Sequence, residues 1–407
     1  MNRWKRFLLL LSVIGPGIIT ANVDNDAGGI ATYSIAGAHF GYSMLWSLIP
    51  ITIALVVVQE KSARMGAVTG KGLAELIREN YGVKITFWLM LFLFITDLGN
   101  TAAEFAGWAA SNELFGINKY IAVPIGALMV WLLVVKGTYR VVEKIFLAIC
   151  IVYFVYIPAA FLAKPDWGQV ALETIKPSFH FSSTYIVTLI GVVGTTIAPW
   201  MQFYLQSSVV EKGIGKEQYW ASRIDVIVGC FMTDIVAFFI IVACGATLFK
   251  AGIQIESAKD AAVALAPIAG KYASVLFAIG LANASLFSAS ILPLATAYYI
   301  CEGMGWEAGV DKTFKDAPQF MWLYTILIAI GSLIVLVPNA PLIAIMWISQ
   351  VINGVMLPFV LIFMLFLINK KDLMEDYTNS KTFNRIAWAT TIIMVVLTGM
   401  FVVTLFF

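Results

Sequence analysis

Apolar runs of bilayer length recur from one end of this chain to the other, and they leave it few folds. A transmembrane helix needs about 20 predominantly apolar residues. Runs of that order lie at about 8–34, 42–58, 86–110, 119–135, 145–163, 185–210, 224–249, 271–299, 319–337, 343–368 and 385–406. With 60% hydrophobic and 12% charged residues, a soluble domain is excluded and the expected class is an all-α polytopic membrane protein of eleven spans. The opening "MNRWKRFLLLLSVIGPG" has the charge and apolar run of a signal peptide, but a polar Asp cluster follows where a cleavage site would stand, so it is read as the start of the first span.

The basic residues orient the spans. With the N-terminus in the cytoplasm, cytoplasmic segments hold Arg3, Lys5 and Arg6, then Lys61, Arg64, Lys71, Arg78 and Lys84, then Lys136, Arg140 and Lys144, and later Lys212, Lys216, Arg223, Lys312, Lys315, Lys370, Lys371, Lys381 and Arg385. The other side keeps only Lys119, Lys164, Lys176, Lys250, Lys259 and Lys271. The positive-inside rule then predicts a multi-pass protein of the cytoplasmic membrane with an external C-terminus. Cys150, Cys230, Cys244 and Cys301 lie singly in apolar surroundings and read as core residues. His39 and His180 are isolated and make no metal site. "GAVTGKG" lacks the glycine spacing and the hydroxyl of a phosphate-binding loop, so ATP-driven transport is not indicated, and nothing points to nucleic acid.

Two spans are interrupted, and they are five apart. The first carries Asp24, Asn25, Asp26, Gly28 and Gly29; the sixth carries "GTTIAPWMQFYLQSS" (194–208), with Pro199, Gln202 and Gln206. Ionisable residues within the membrane are costly and mark function by default. A proline in a span frees carbonyls, which is tolerable where protein or a water-filled cavity satisfies them. Matching interruptions in two halves of a chain point to a midplane site between inverted repeats. Repeat one is placed at about 8–163, repeat two at about 185–368, with 385–406 appended, all within one transporter domain over 1–407.

The chain resembles the Nramp transporters. The resemblance is carried by "GPG" (15–17), "QEKSARMGAVTGKGLAELIRENYG" (59–82), "KGTYRVVEKI" (136–145), "SSVVEKG" (207–213), "RIDVIVG" (223–229), "AAVALAPIAGKYASVLFAIGL" (261–281) and "ISQVINGVMLPFVLI" (348–362), spread over nearly the whole sequence. It implies a leucine-transporter-like fold with broken helices in spans one and six and alternating access of a bundle against a scaffold. Where the metal-transporting members carry Asp-Pro-Gly-Asn, this chain reads Asp26, Ala27, Gly28, Gly29. Where they carry Ala-x-x-Met-Pro-His, it reads Thr195, Thr196, Ile197, Ala198, Pro199, Trp200. Of the ligands the resemblance implies, the aspartate remains; the thioether and the imidazole positions have become Ala198 and Trp200.

A soft thioether helps a site hold transition metals against harder ions, so its loss predicts weak transition-metal binding. Trp200 adds a flat π-surface, Gly28, Gly29 and Ala198 are expected to leave volume, and Gln202, Gln350, Asn353 and Asn100 could converge as paired donors and acceptors. The first reading is therefore a proton-coupled secondary transporter of a small planar organic solute such as a nucleobase, bound by these residues with Asp26 and Thr195. The alternative is a hard divalent cation, Mg²⁺ or Mn²⁺, held by Asp26, by Asp24 as a second carboxylate, and by carbonyls. A third reading keeps the fold as a sensor without turnover.

The third span carries Asp97, Asn100 and Glu104 in "FITDLGNTAAEFAGWAASNELFG" (94–116). Asp97 and Glu104 are two helical turns apart and share a face. With Asp26 they are the candidates for a proton relay, protons being the expected coupling ion and no cofactor being expected. Arg140 with Glu143 reads as an ion pair, and Asp225 and Asp234 as inter-helix contacts.

Overall fold

The computed structural model describes residues 17, 20, 23–136, 154–310 and 312–404, and among these it is helical with no strand. In chain order the main helices are α1 (Ala27–Phe40), α2 (Leu45–Thr69), α3 (Leu73–Tyr81), α4 (Val83–Glu113), α5 (Lys119–Val135), α6 (Tyr156–Leu162), α7 (Trp167–Ile175), α8 (Ser183–Thr196), α9 (Pro199–Glu211), α10 (Tyr219–Cys244), α11 (Ala273–Met304), α12 (Pro318–Leu336), α13 (Leu342–Ile368) and α14 (Lys381–Thr404). Among the described residues eight helical stretches are long and apolar enough to cross a membrane, each overlapping an expected span, and most of the first half of the first expected span lies outside the described residues. The fifth expected span, and with it Arg140, Glu143 and Cys150, lies largely outside the described residues.

Burial follows the apolar pattern in both directions. Trp88, Phe92 and Ile95 on α4 and Ile392, Ile393 and Val396 on α14 point outward, as lipid-facing side chains must, while Tyr33, Phe203, Phe287 and Tyr299 fill the interior. Between helices in lipid the driving force is close packing, which favours small residues at crossings. Gly194 on α8 and Gly354 on α13 provide one: a Cβ on Gly354 would sit 2.5 Å from the Ile190 carbonyl. The two backbones touch, so span six is pinned to span ten beside its break.

One boundary differs from the sequence reading. The second span does not end near residue 58; α2 continues to Thr69 and buries Lys61 and Arg64, two of the residues assigned above to a cytoplasmic segment. The two terminal nitrogens of the Arg64 guanidinium donate to Glu60 at 3.1 Å, to the carbonyls of Tyr377 and Thr378 at 3.1 and 3.2 Å, and to Asn379 at 2.6 Å. Helical propagation past the apolar run becomes tolerable because the charge gains these acceptors.

Candidate functional site at the two helix breaks

The first span breaks where its polar residues are concentrated. Gly17, Thr20 and Val23 are helical, Asp24 and Asn25 form a turn, and α1 begins anew at Ala27. Asp26 takes an extended conformation and caps α1, its carboxylate accepting from the Gly29 N–H at 2.5 Å. Glu104 of α4 accepts from the Ala27 N–H at 3.3 Å. Both carboxyl groups thus meet the positive end of one half-helix. The second Glu104 oxygen is buried with no hydrogen-bond partner.

The sixth span breaks at Ile197 and Ala198. Pro199 is the first residue of α9, a position that lacks a helical acceptor in any case, so the proline opens a new helix rather than kinking one. The last carbonyls of α8 have no partner within that helix. The Ala198 N–H is met by a sulfur: it donates to Met201 Sδ at 3.2 Å. Tyr33 on α1 and Thr196 on α8 share a hydroxyl–hydroxyl bond of 2.8 Å, which ties the two broken spans together.

Oxygens from both breaks converge on Gly29. A Cβ there would lie 3.1 Å from Thr195 Oγ1 and 3.3 Å from Asp26 Oδ1, and would strike the Asp24 carbonyl. The Thr195 hydroxyl is buried with no hydrogen-bond partner. The expectation that Gly28 and Gly29 leave volume is therefore corrected. A Cβ on Gly28 would collide with the Gln350 side-chain amide; the glycines permit close approach and the space is filled.

Gln350, Asn353 and Asn100 do come together. Asn353 donates to Gln350 at 2.8 Å, and Asn353 and Asn100 exchange a reciprocal amide pair at 3.0 and 2.9 Å. Asn100 continues to Asp97 at 2.9 Å. Asp97 also accepts from Thr296 at 2.7 Å and Tyr299 at 2.6 Å on α11. The shared face expected for Asp97 and Glu104 does not join them. Glu104 turns to α1 and Asp97 to α11, and an unbroken amide chain links Asp97 to the Gly28 side of the site.

The remaining sequence candidates divide. Gln202 does not join the amides: its Nε2 donates to the Ala198 carbonyl at 3.1 Å. Neither Gln202 nor Gln206 meets water; both are fully buried, and Gln206 donates to the Lys71 carbonyl at 2.8 Å. Trp200 is buried, with the Tyr204 ring 6.1 Å away in a tilted arrangement. Asp225 does bridge helices, accepting from the Gly17 N–H at 2.6 Å. Thr296, Tyr299 and Met201 were not foreseen. Thr296 and Tyr299 are three residues apart on one helix face, a spacing the sequence displays once Asp97 is known to need partners.

Among the described residues no three His, Cys, Asp or Glu side chains gather as a metal cluster. An ion at the breaks would be held by Asp26 with carbonyl, hydroxyl and amide oxygens.

Known proteins share this architecture. A manganese transporter from Eremococcus coleocola, solved in complex with an aromatic bis-isothiourea substituted compound, superposes with a TM-score of 0.81 at 22% identity, covering 98% of this chain and 87% of that one. A nucleobase-cation-symport-1 family transporter with bromovinylhydantoin bound gives 0.56 at 13% identity, covering 96% and 91%. At these identities the likeness is one of fold. In sequence, the divalent metal cation transporters MntH of Deinococcus radiodurans and Bacillus subtilis are each 26% identical, over 96% and 99% of this chain and 89% and 94% of their own lengths. Residues 17–404 match the family described as natural resistance-associated macrophage protein-like. The chain is a multi-pass membrane protein that belongs to the natural resistance-associated macrophage protein (Nramp) family.

Proposed function

We propose that this chain moves a hard divalent cation, Mg²⁺ or Mn²⁺, across the cytoplasmic membrane, with its N-terminus inside, coupled to protons held by Asp26 and Glu104. As an Nramp family member it is a membrane transporter and not an enzyme. The observation that carries the cation reading is the convergence of Asp26 Oδ1, Thr195 Oγ1 and the Asp24 carbonyl at Gly29, between the facing ends of two half-helices. All three donors are oxygens, the ligand class of Mg²⁺ and Mn²⁺. The names of the sequence relatives support a divalent cation as cargo. The organic reading loses its main support, because Gln350 fills the space beside Gly28 and Trp200 is packed into the interior.

In the mechanism this geometry supports, the cation approaches Asp26 and displaces the proton held there. Glu104 can then keep or pass on that proton, since one of its oxygens is free of partners. The broken spans supply short segments whose relative motion exposes the site to one side at a time. Uptake of Mg²⁺ and Mn²⁺ into liposomes containing the purified protein, followed with ion-sensitive dyes beside a pH-sensitive dye, tests this. Cation entry with acidification of the lumen, both absent in Asp26→Asn, is the expected result. A wild-type protein that moves neither ion overturns it.

A further inference from the structure

A second group of ligating side chains lies on the other side of the Asp24–Asn25 turn, where the first half of span one meets α2, α9 and α10. It surrounds a cavity of about 10 Å³, room for a single water or ion. Asp24, Gln59, Met201 and Cys230 line it, each at least nine-tenths buried. Both carboxylate oxygens of Asp24 and both amide atoms of Gln59 have no hydrogen-bond partner. Cys230 is a free thiol.

We propose that Asp24, Gln59, Met201 and Cys230 form a second cation site, distinct from that at Asp26, which takes one sulfur-tolerant divalent metal ion of the Zn²⁺, Co²⁺ or Cd²⁺ class. The charged groups acting on Asp24 are Asp234 and Asp26, both acids. A buried carboxylate among acids, with no donor of its own, needs a positive partner or a proton. Asp24 and Gln59 would meet a trapped water's minimum of two polar partners, but Met201 and Cys230 complete the lining with two sulfurs, which are weak in hydrogen bonding and effective as metal ligands. The sulfurs also set the class of ion. Mg²⁺ and Ca²⁺ are held by oxygen, whereas a thioether and a thiol beside a carboxylate and an amide oxygen suit a softer ion, the thiol proton leaving as the metal binds.

The location gives such an ion a consequence. Asp24 belongs to the broken span, Gln59 to α2, Met201 to α9 and Cys230 to α10, so one metal would tie four elements together two residues from Asp26. Met201 joins the two sites, since its sulfur also caps the Ala198 N–H at the sixth-span break.

The test is Co²⁺ titration of the full-length protein in detergent, read by the near-ultraviolet sulfur-to-cobalt charge-transfer band. Wild type and Asp26→Asn should both develop the band at one ion per chain, with excess Mg²⁺ failing to remove it. Cys230→Ser should abolish it, and Met201→Leu, close to isosteric, should weaken Co²⁺ binding at least tenfold. Asp24→Asn provides a second route should Cys230→Ser fail to fold, and it too should lose the band. No band in wild type, or a band that survives Cys230→Ser or Asp24→Asn, overturns the proposal. The outcome is separable from the transport reading, which stands or falls on Mg²⁺ uptake by wild type against Asp26→Asn.

Discussion

Asp97 and Asp24 are equally dry, with 1% and 2% of their surfaces exposed, yet they are treated in opposite ways. Asp97 accepts three hydrogen bonds, from Asn100, Thr296 and Tyr299, and through the Asn100–Asn353 pair it joins α4, α11 and α13. Asp24 accepts none at either oxygen. A buried carboxylate costs several kcal/mol of desolvation, by order of magnitude, unless it is paired. Asp97 offsets that cost with protein donors in intact helices, so it fastens the frame. Asp24 stands at an interrupted helix where the protein leaves both its oxygens unmet, while Asp26 two residues on is held by the Gly29 N–H. Burial alone therefore does not mark a candidate ion site; burial with unmet bonding capacity, as at Asp24, or at a broken helix end, as at Asp26, does.

The sharpest way to break this contrast is at Asp26. Asp26→Asn keeps the volume but removes the charge that meets the α1 N-terminus and Glu104. Cation uptake in liposomes should fall to background while the protein still folds. Uptake near the wild-type rate would place the ion elsewhere.

The next largest effect is on stability, and it runs the other way. Asp97→Ala strands the buried Tyr299 hydroxyl and one amide hydrogen of Asn100, while Thr296 keeps the Leu292 carbonyl at 2.9 Å. At about 1–3 kcal/mol for each unsatisfied group, the loss should reach roughly 3 kcal/mol or more and lower the melting temperature in detergent clearly. Asp24→Asn removes a charge that has no hydrogen-bonding partner, so its melting temperature should hold or rise. Equal destabilisation by the two variants would end the distinction between frame and site.

A smaller change is expected at Glu104. Glu104→Gln preserves an acceptor for the Ala27 N–H but cannot carry a proton alongside the cation. Uptake should continue severalfold slower, and an imposed pH gradient should no longer accelerate it. Proton movement that matches wild type, read with a dye in the lumen, would assign the proton to another acid.

Much of the frame was legible in the sequence because its cause is local. Apolar length sets a span, and Asp24–Asn25–Asp26 and Pro199 interrupt one wherever it packs. The site was legible only in part. Asp26, Glu104 and the Gln350–Asn353–Asn100 amides could be singled out as polar residues in apolar runs. What the glycines were for could not, because a missing side chain reads equally as empty space or as close approach, and the choice depends on Gln350 arriving from a helix more than 300 residues away. Gln202 and Met201 show the same limit. Both fold back onto Ala198 within their own turn, a side-chain direction that spacing does not reveal.

Trp200 gives the finest test, because the two substrate readings assign it different work. If the cargo is a cation held by oxygens at Gly29, the indole contributes shape to the packing around Tyr204 and little else. Trp200→Phe retains an aromatic of smaller volume and should leave Mg²⁺ affinity within about twofold to threefold, with a modest stability loss from the space vacated. If a planar solute stacks on the indole, the same change should weaken its binding, since stacking on an aromatic is worth about 1–3 kcal/mol for a base. Titrating wild type and Trp200→Phe with Mg²⁺, adenine, guanine, xanthine and uracil side by side separates the cases. Binding of any of these bases by wild type that falls in Trp200→Phe, while Mg²⁺ binds neither protein, would return the site to an organic cargo. It would also require Gln350 to withdraw from Gly28 when the ligand enters, because nothing flat fits beside that glycine while the amide occupies its face.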